Sequence, residues 1–241
     1  YQNKLLSEDD LEKIRNNEKL RLDVIEKGIS TDNKCSKRYF GGRYIIPYDK
    51  GGESDANEGW MPNYYVPTNF YIDWSERAVN RMKTLTIAER IRINNENKPI
   101  TARNKIQVAS VFRNVETYFQ KGITFSPTGV YSPTFRFNSF CIYGNKGSCI
   151  FVKHKVYKQE ELIGILASKL AKYLLKNYSS HTVETGEVVV MSLPLAYEGI
   201  NEKIGILIQS IVVNQRQSGV YDYASNEQLE IDRLVYEAYG L

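Results

Sequence analysis

The chain has 241 residues, of which 42% are hydrophobic and 25% charged, and its formal net charge at pH 7 is +4. This composition is typical of globular proteins and excludes an intrinsically disordered chain, and no run approaches the roughly 18 apolar residues of a membrane helix. The three cysteines lack CxxC spacing, which argues against a disulfide framework and a zinc site, so we expect a soluble, cytoplasmic protein.

Basic residues are concentrated in the middle of the chain. Residues 76–176 contain 18 Lys and Arg against 6 Asp and Glu, whereas residues 1–75 contain 11 against 13 and residues 177–241 contain 3 against 9. A polyanion such as duplex DNA is attracted to a basic region of this kind. A solvated basic surface without such a partner explains the charge equally well. If the chain binds DNA, we expect these side chains to gather on one face.

The first elements are predicted from capping and turn residues. Ser7 is a candidate N-cap, apolar residues follow it at helical spacing, and Gly28 is a candidate stop. A strand is predicted over 43–48, a polar surface loop over 49–62, and an aromatic, β-prone segment over 64–74.

A second amphipathic helix is predicted to begin at Ser75 and to end before Pro99. It carries the first basic block of the sequence, which consists of Arg77, Arg81, Lys83, Arg90 and Arg92. These side chains are spread along the predicted helix, so the block adds positive charge near the start of the basic region.

Residues 106–152 alternate β-prone runs with Gly, Pro and Asn turns, which predicts several short antiparallel strands. The runs are 106–112, 122–126, 131–137, 140–143 and 148–152. Helices are predicted to follow over 162–175, 200–217 and 227–239, the last with Ser225 as its N-cap. We therefore expect an α+β fold. In this expected fold, a central, mostly antiparallel β-region with loops for DNA readout would be packed with several helices. The C-terminal end would be helical.

Catalytic motifs are missing from the sequence. A Gly-x-Gly-x-x-Gly cofactor loop is not present, and Met-Pro-Asn-Tyr-Tyr at 61–65 departs from the Asn-Pro-Pro-Tyr order of amino-methylating enzymes. Acidic residues are too scarce in the β-region for a nuclease metal site. Both histidines are interpreted as surface or structural residues, and Cys141 and Cys149 as small buried hydrophobes. We predict no catalytic residue and no metal ligand in this chain, and a binding function.

Two polar loops between predicted strands, over 126–136 and 143–148, are suited to nucleic acid. Lys and Arg neutralise phosphates, whereas hydroxyl, amide and guanidinium groups read base edges in the major groove. The predicted phosphate contacts are Arg103, Lys105, Arg113, Lys146 and Lys153. The predicted base readers are Thr128, Tyr131, Arg136 and Asn138. An ordinary hairpin, whose aromatic side chains pack a core, is the alternative interpretation of the first loop.

Five separated parts of the chain resemble a known family in the same order. They are Pro-Tyr-Asp-Lys-Gly-Gly at 47–52 with Tyr-Ile-Asp-Trp at 71–74, then 122–136, 162–175, 182–188 with 193–195, and 230–241. Over these parts the chain resembles the C-terminal target recognition region of type IIG restriction-modification enzymes and related adenine-N6 DNA methyltransferases, including TaqI-like and PglX-like members. In such enzymes an upstream domain binds S-adenosylmethionine and methylates a flipped adenine, while the target recognition region selects the sequence.

The resemblance implies a division of the chain. Residues 1–42 are expected to be a helical lead-in from a catalytic part outside this chain, and residues 43–241 the target recognition domain, β-rich over 43–157 and helical over 158–241. The start at Tyr1 rather than Met is expected of such a fragment.

The resemblance also implies the partners and the cofactor. The partners would be double-stranded DNA and the upstream methyltransferase domain of the same polypeptide, and S-adenosylmethionine would bind in that domain only. The biological role would be restriction-modification and phage defence. A protein-interaction or scaffold module with an incidental basic surface is the alternative, and a complete small nuclease is a third class.

Overall fold

The structure, a computed structural model, describes residues 2–34, 37–51, 62–96, 112, 114–125, 127, 133–137, 142–146, 148–152, 157–179, 185–196, 201–218 and 221–241. Helices α1 to α9 in these ranges span Glu8–Asn16, Glu18–Lys27, Glu76–Lys83, Ile87–Asn95, Gln159–Ala167, Lys169–Leu174, Glu187–Met191, Lys203–Ser218 and Glu227–Ala238. Strands β1 to β6 span Ile45–Gly51, Tyr71–Asp73, Ile123–Phe125, Phe135–Phe137, Ile142–Lys146 and Ser148–Ile150. The predicted α+β class is confirmed. Across these ranges, no helix combines the length and the apolar character needed to cross a membrane.

The chain divides into two compact units, and both are discontinuous in sequence. Unit 1 comprises residues 1–47 and 71–120, and unit 2 comprises residues 48–70 and 121–241. The sequence predicted a single boundary between residues 42 and 43 instead. Composition along the chain cannot show that residues 71–120 pack with the N-terminal helices, because that association depends on contacts between distant segments.

Near its N-terminal end, unit 1 has two short α-helices where the sequence predicted one. Ser7 caps α1 as predicted, because its hydroxyl accepts a hydrogen bond from the N–H of Asp10 at 3.2 Å and its own N–H donates to the Asp10 carboxylate at 3.0 Å. Asn17 ends α1 and caps α2, with its side-chain oxygen accepting from the N–H of Leu20 at 3.0 Å. Asn17 satisfies an N–H group of a new first turn, so the interruption costs little.

Trp74 lies at the centre of the unit 1 core. Its buried indole N–H donates to the carbonyl of Val24 at 3.0 Å. The rings of Phe112, Tyr118 and Phe119 surround it at centroid distances of 5.6, 5.9 and 6.0 Å. A large ring with its polar atom satisfied is stabilising in a core, and offset or edge contacts between rings add to that burial. The aromatic segment predicted over 64–74 thus supplies a core residue, although within it only Tyr71–Asp73 forms a strand.

Strand β1 has a different partner in each unit. In unit 1 its first residues pair antiparallel with β2, with Ile45 opposite Asp73 and Pro47 opposite Tyr71. In unit 2 its last residues pair parallel with β5, beginning with Tyr48 opposite Ile142. The predicted loop over 49–62 therefore begins later than expected, because residues 49–51 belong to the strand. Residues 52–61 of that loop lie outside the described residues.

A three-stranded antiparallel sheet with the order β4-β3-β6 supports unit 2. Phe125 of the central strand lies opposite Phe135 on one side and Ser148 on the other. The antiparallel pairing predicted for this region is confirmed here, whereas the parallel pairing of β1 with β5 departs from it. The predicted runs over 131–137 and 148–152 thus supply the two neighbours of the strand that the run over 122–126 forms.

Helix α5 is the most buried helix segment of unit 2, since every residue from 161 to 167 is buried. Gly164 permits the close approach of α8, because a Cβ there would lie 2.4 Å from Cγ2 of Ile204 and 3.0 Å from Cδ1 of Ile208. The predicted helix over 162–175 is interrupted at Ser168, whose hydroxyl accepts from the N–H of Ala171 at 3.1 Å and so begins α6. A π-helical turn, Leu175–Ser179, continues α6.

Two local details near the C-terminus differ from the sequence prediction. Asn226, not Ser225, is the N-cap of α9, and no side-chain hydrogen bond caps that helix. Ser225 lies in the preceding turn, where its N–H donates to the Asp222 carboxylate at 3.1 Å. The short helix α7 has no counterpart among the predicted elements, because five residues are too few for a helical period to be visible.

Gly28→Ala is expected to lower the free energy of unfolding by about 2 to 4 kcal/mol. Gly28 ends α2 with φ 79° and ψ 179°, a combination that essentially only glycine adopts. A Cβ there would also lie 2.8 Å from backbone atoms of Ser75 and Glu76. Urea denaturation measures the loss. Gly186→Ala is the matched control, because a Cβ at Gly186 meets nothing within 4 Å, and similar losses in both variants would contradict this account.

Candidate nucleic-acid interface

Most of the predicted DNA contacts lie outside the described residues. These are Arg103, Lys105, Arg113, Thr128, Tyr131, Asn138 and Lys153, and the same holds for Cys35, Cys141, His154 and His181. Lys146 is the last residue of β5, and only its backbone is described. The assignments of these eight candidate contacts stay predictions. Arg136 is the predicted contact whose side chain the structure places.

Arg136 lies inside unit 2. Its side chain is 2% exposed, and Nη1 donates to Oγ1 of Thr134 at 2.9 Å. Burial lowers the pKa of the guanidinium, and the buried carboxylate of Asp49 acts in the opposite direction. A side chain with this exposure does not reach a base edge, so the placement argues against the predicted role of Arg136 as a base reader.

The alternation of β4 explains why the sequence suggested an exposed Arg136. Phe135 and Phe137 flank it, and in a strand the middle residue points to the opposite face from its neighbours. That pattern predicts a polar residue facing water. Here Asp49 lies close enough to influence the guanidinium, and the backbone of Tyr64 bonds to both flanking phenylalanines. Partners from distant parts of the chain therefore determine the burial of Arg136.

The first basic block lies on two consecutive helices of unit 1, α3 and α4, which a three-residue connection joins and which are called here the α3–α4 hairpin. The sequence predicted one helix from Ser75, and residues 84–86 interrupt it. Thr86 caps α4 through a reciprocal pair of bonds: its hydroxyl accepts from the N–H of Glu89 at 3.3 Å, and its own N–H donates to the Glu89 carboxylate at 2.9 Å. This capping box gives a second helix a favourable start, so the chain changes direction there.

Arg77 and Arg81 lie on the outer face of α3. They are four residues apart and therefore on the same side of the helix, and both are exposed, whereas Val79 points the other way and is buried. Lys83 contacts unit 1 itself, because its ammonium group donates to the carbonyl of Glu26 and lies 5.5 Å from the centroid of the Phe112 ring. The solvent side of α3 thus presents guanidinium groups.

Helix α4 has no buried side chain among those described. Arg92 is exposed, and so are Ile87 and Ile93, at 67% and 42%. Within the described ranges, neither Arg77 nor Arg92 has an ion-pair partner. Neither guanidinium group therefore has to leave a carboxylate of the described ranges before it meets an anion.

Arg81 connects the two helices of the hairpin. Its Nη2 donates to Oε1 of Glu89. The backbone N–H of Thr86, together with Arg81, lowers the pKa of Glu89 to about 2. An exposed ion pair contributes little stability by itself. An anion approaching Arg81 has to compete with Glu89, so Arg77 and Arg92 are the better candidates for phosphate contacts.

The described residues contain a free cysteine, Cys149, but no cluster of metal-binding side chains. Among them, no group of three or more His, Cys, Asp or Glu side chains could hold a metal ion. Cys149 is half-buried, and burial raises the pKa of its thiol to about 12. Its nucleophilic thiolate form is therefore scarce at neutral pH.

The basic block was visible in the sequence, whereas the predicted DNA contacts lie in or beside the β-region. The available signal was the four-residue spacing of Arg77 and Arg81 around Val79, which places the two arginines opposite an apolar residue. The Thr-x-x-Glu pattern at 86–89 was also available as a sign that a new helix begins there.

Arg136→Ala is expected to lower the free energy of unfolding by about 3 to 5 kcal/mol, since it leaves the buried Asp49 carboxylate without its nearby positive charge. Urea denaturation followed by circular dichroism measures the change. Arg77→Ala, at an exposed position, is the control and should change stability by no more than about 0.5 kcal/mol. Equal small effects of the two substitutions would show that Arg136 has no structural role.

Acid is expected to weaken the start of α4. The pKa of Glu89 is lowered from 4.5 to about 2, so its contribution is fully present above pH 4.5 and is lost as the pH falls towards 2. An NMR titration of the Glu89 carboxyl carbon measures this pKa. Arg81→Gln removes one cause of the shift and should move the midpoint part of the way back up. A midpoint near 4.5 in the unaltered protein would refute the capping geometry.

No protein-family model matches this chain, and no curated protein matches it either. The feature of the described residues that best indicates a function is the pair of consecutive basic helices, α3 and α4, with exposed guanidinium groups.

Proposed function

We propose that this chain binds duplex DNA and serves as the sequence-recognition part of a restriction-modification type adenine-N6 DNA methyltransferase. The observation that carries the proposal is the α3–α4 hairpin, where Arg77 and Arg92 are exposed and pair with no carboxylate of the described ranges. Guanidinium groups bind phosphates in bidentate geometry, and the release of counterions from DNA drives such contacts. The excess of 18 basic over 6 acidic residues between 76 and 176 supports the same partner.

Phosphate contacts and sequence reading are separate tasks in this proposal. Phosphate contacts fix the position of a protein on the duplex but carry no sequence information. The hairpin would therefore hold the DNA, and base reading would fall to the loops of the β-region. Thr128, Tyr131 and Asn138 remain the proposed base readers, and the buried Arg136 is no longer one of them.

The resemblance of the sequence supports the finer parts of the proposal. Methyl transfer would be the task of an upstream domain of the same polypeptide that binds S-adenosylmethionine, with this chain selecting the site. The two together would act in a restriction-modification system against phage DNA, in the cytoplasm.

A protein-interaction module is the second candidate function. The exposed Ile87 and Ile93 on α4 favour it, because apolar side chains on a helix can dock into a partner's groove. The two functions differ in their response to salt. Affinity that depends on phosphate contacts falls steeply as the salt concentration rises, whereas affinity that depends on apolar docking hardly changes with salt.

The double variant Arg77→Gln/Arg92→Gln tests the proposal. We expect it to weaken binding to all mixed-sequence duplexes alike, and to reduce the slope of log affinity against log salt by about 2, one for each lost phosphate contact. Fluorescence anisotropy of a labelled duplex, titrated between about 50 and 200 mM salt, measures both quantities.

Arg233→Gln is the matched control for this experiment. Arg233 is also exposed, but it bonds to Glu230 and Glu237 on α9, so its loss should leave the salt slope unchanged. Salt-independent affinity in the unaltered chain would exclude DNA binding through phosphates. A slope that the double variant leaves intact would exclude the hairpin as the interface.

A further inference from the structure

We propose that unit 2 carries a separate surface for unpaired nucleic-acid bases, on α6 and the turn that follows it. The surface, called here the lysine–tyrosine surface, consists of Lys169, Lys172, Tyr173, Lys176 and Tyr178. It goes beyond duplex recognition, because its occupant is a single strand. It rests on unit 2 alone and not on the hairpin of unit 1.

The spacing of these residues places most of them on one side of a helix. Lys169, Lys172 and Tyr173 follow the i, i+3, i+4 pattern of α6 and lie in a stripe on one face of it, and Lys176 and Tyr178 follow in the π-helical turn. The residues between them, Leu170, Ala171 and Leu175, are buried in the core of unit 2. The apolar side of α6 is thus covered, and its polar side carries lysine and tyrosine.

The start of α6 is held firmly, so the stripe has a fixed position. The hydroxyl of Ser168 accepts from the N–H of Ala171 at 3.1 Å, and the carboxylate of Asp232 accepts from the N–H of Lys169 at 2.9 Å. Gln228 donates to the same carboxylate at 3.1 Å and accepts a hydrogen bond from the hydroxyl of Tyr64 at 2.6 Å. A rigid stripe binds with less loss of conformational entropy than a flexible segment.

The two tyrosine rings are exposed although they are large. Tyr173 is 54% exposed and Tyr178 71%, and their ring centroids lie 5.9 Å apart at an interplanar angle of 68°. In such an edge-to-face pair, one ring contributes its edge, so its own faces remain open to a stacked base. Stacking on aromatic side chains is the main non-electrostatic contribution when proteins bind single strands.

The lysines provide the complementary charge for a phosphate backbone. The ammonium group of Lys169 lies 3.7 Å from the Asp232 carboxylate, and this carboxylate is buried below the surface rather than presented on it. Burial lowers the pKa of Lys172, with Lys169 contributing in the same direction and Asp232 opposing it. A phosphate beside Lys172 would favour its charged form.

The arrangement favours a single strand over other anionic partners. Bases in a duplex are already stacked on one another, so they have no free face on which an exposed ring could stack. Unpaired bases do have free faces. A helix that binds a membrane surface needs its apolar face available for the lipid. In α6 that face is buried in the core. The pattern Lys-x-x-Lys-Tyr-x-x-Lys-x-Tyr at 169–178 was visible in the sequence, but only folding shows that the tyrosines face water.

Binding of labelled oligo(dT) to the 241-residue chain, followed by fluorescence anisotropy, tests this inference. Tyr173→Ala/Tyr178→Ala is expected to weaken oligo(dT) binding by roughly 5- to 150-fold and to leave duplex affinity within about 2-fold. Tyr173→Phe/Tyr178→Phe keeps the rings and should bind like the unaltered chain. Lys176→Gln should reduce the salt slope for oligo(dT) by about 0.7. The double alanine variant should retain its fold, because both side chains are exposed.

Tyr236→Ala is the matched control, since Tyr236 is an exposed tyrosine of α9 beside Glu237. It should not change oligo(dT) affinity. The inference is overturned if the unaltered chain does not bind oligo(dT), if the double alanine variant binds it as the control does, or if that variant instead loses affinity for phosphatidylserine vesicles. The duplex measurement with Arg77→Gln/Arg92→Gln fails or succeeds independently, so the two proposals can be told apart.

Discussion

Backbone N–H groups at the start of a helix need hydrogen-bond acceptors, and side chains that supply them determine where the helices of this protein divide. Asn17, Thr86 and Ser168 each lie inside a helical pattern that reads as continuous in the sequence, and each begins a new helix. Thr86 creates the α3–α4 hairpin, and Ser168 creates α6. Both candidate nucleic-acid surfaces therefore depend on a capping side chain that offers the chain an alternative to a longer helix.

Burial gives the basic residues of this protein different roles. Arg136 is enclosed in unit 2, where the desolvation of its charge and the nearby Asp49 make it part of the structure. Arg77 lies on the outside of α3, where its side chain is exposed and can meet a phosphate. Both residues are arginines, and both side chains are basic. The difference lies in what the rest of the fold places around each side chain.

The two proposed surfaces combine charge with different second components. The hairpin pairs guanidinium groups with exposed isoleucines on α4, and the lysine–tyrosine surface pairs ammonium groups with exposed aromatic rings. Guanidinium groups suit the oxygen pairs of phosphates in a duplex backbone, whereas rings suit the flat faces of unpaired bases. Under the two proposals, the α3–α4 hairpin would contact a duplex and the lysine–tyrosine surface an opened strand.

The amino-acid sequence by itself determined the α+β class, the cap at Ser7, the helix that starts at Ser75, the antiparallel runs that became β3 and β6, and the basic middle of the chain. Each of these depends on neighbours a few residues apart. The Thr-x-x-Glu pattern at 86–89 belongs with these, although its interruption of the helix was not predicted. Only the tertiary structure decided the parallel pairing of β1 with β5, the return of residues 71–120 to the N-terminal helices, the burial of Arg136 and the exposure of Tyr173 and Tyr178. These features depend on contacts between segments far apart in the chain. Local periodicity does not show which distant segment will cover a given side chain.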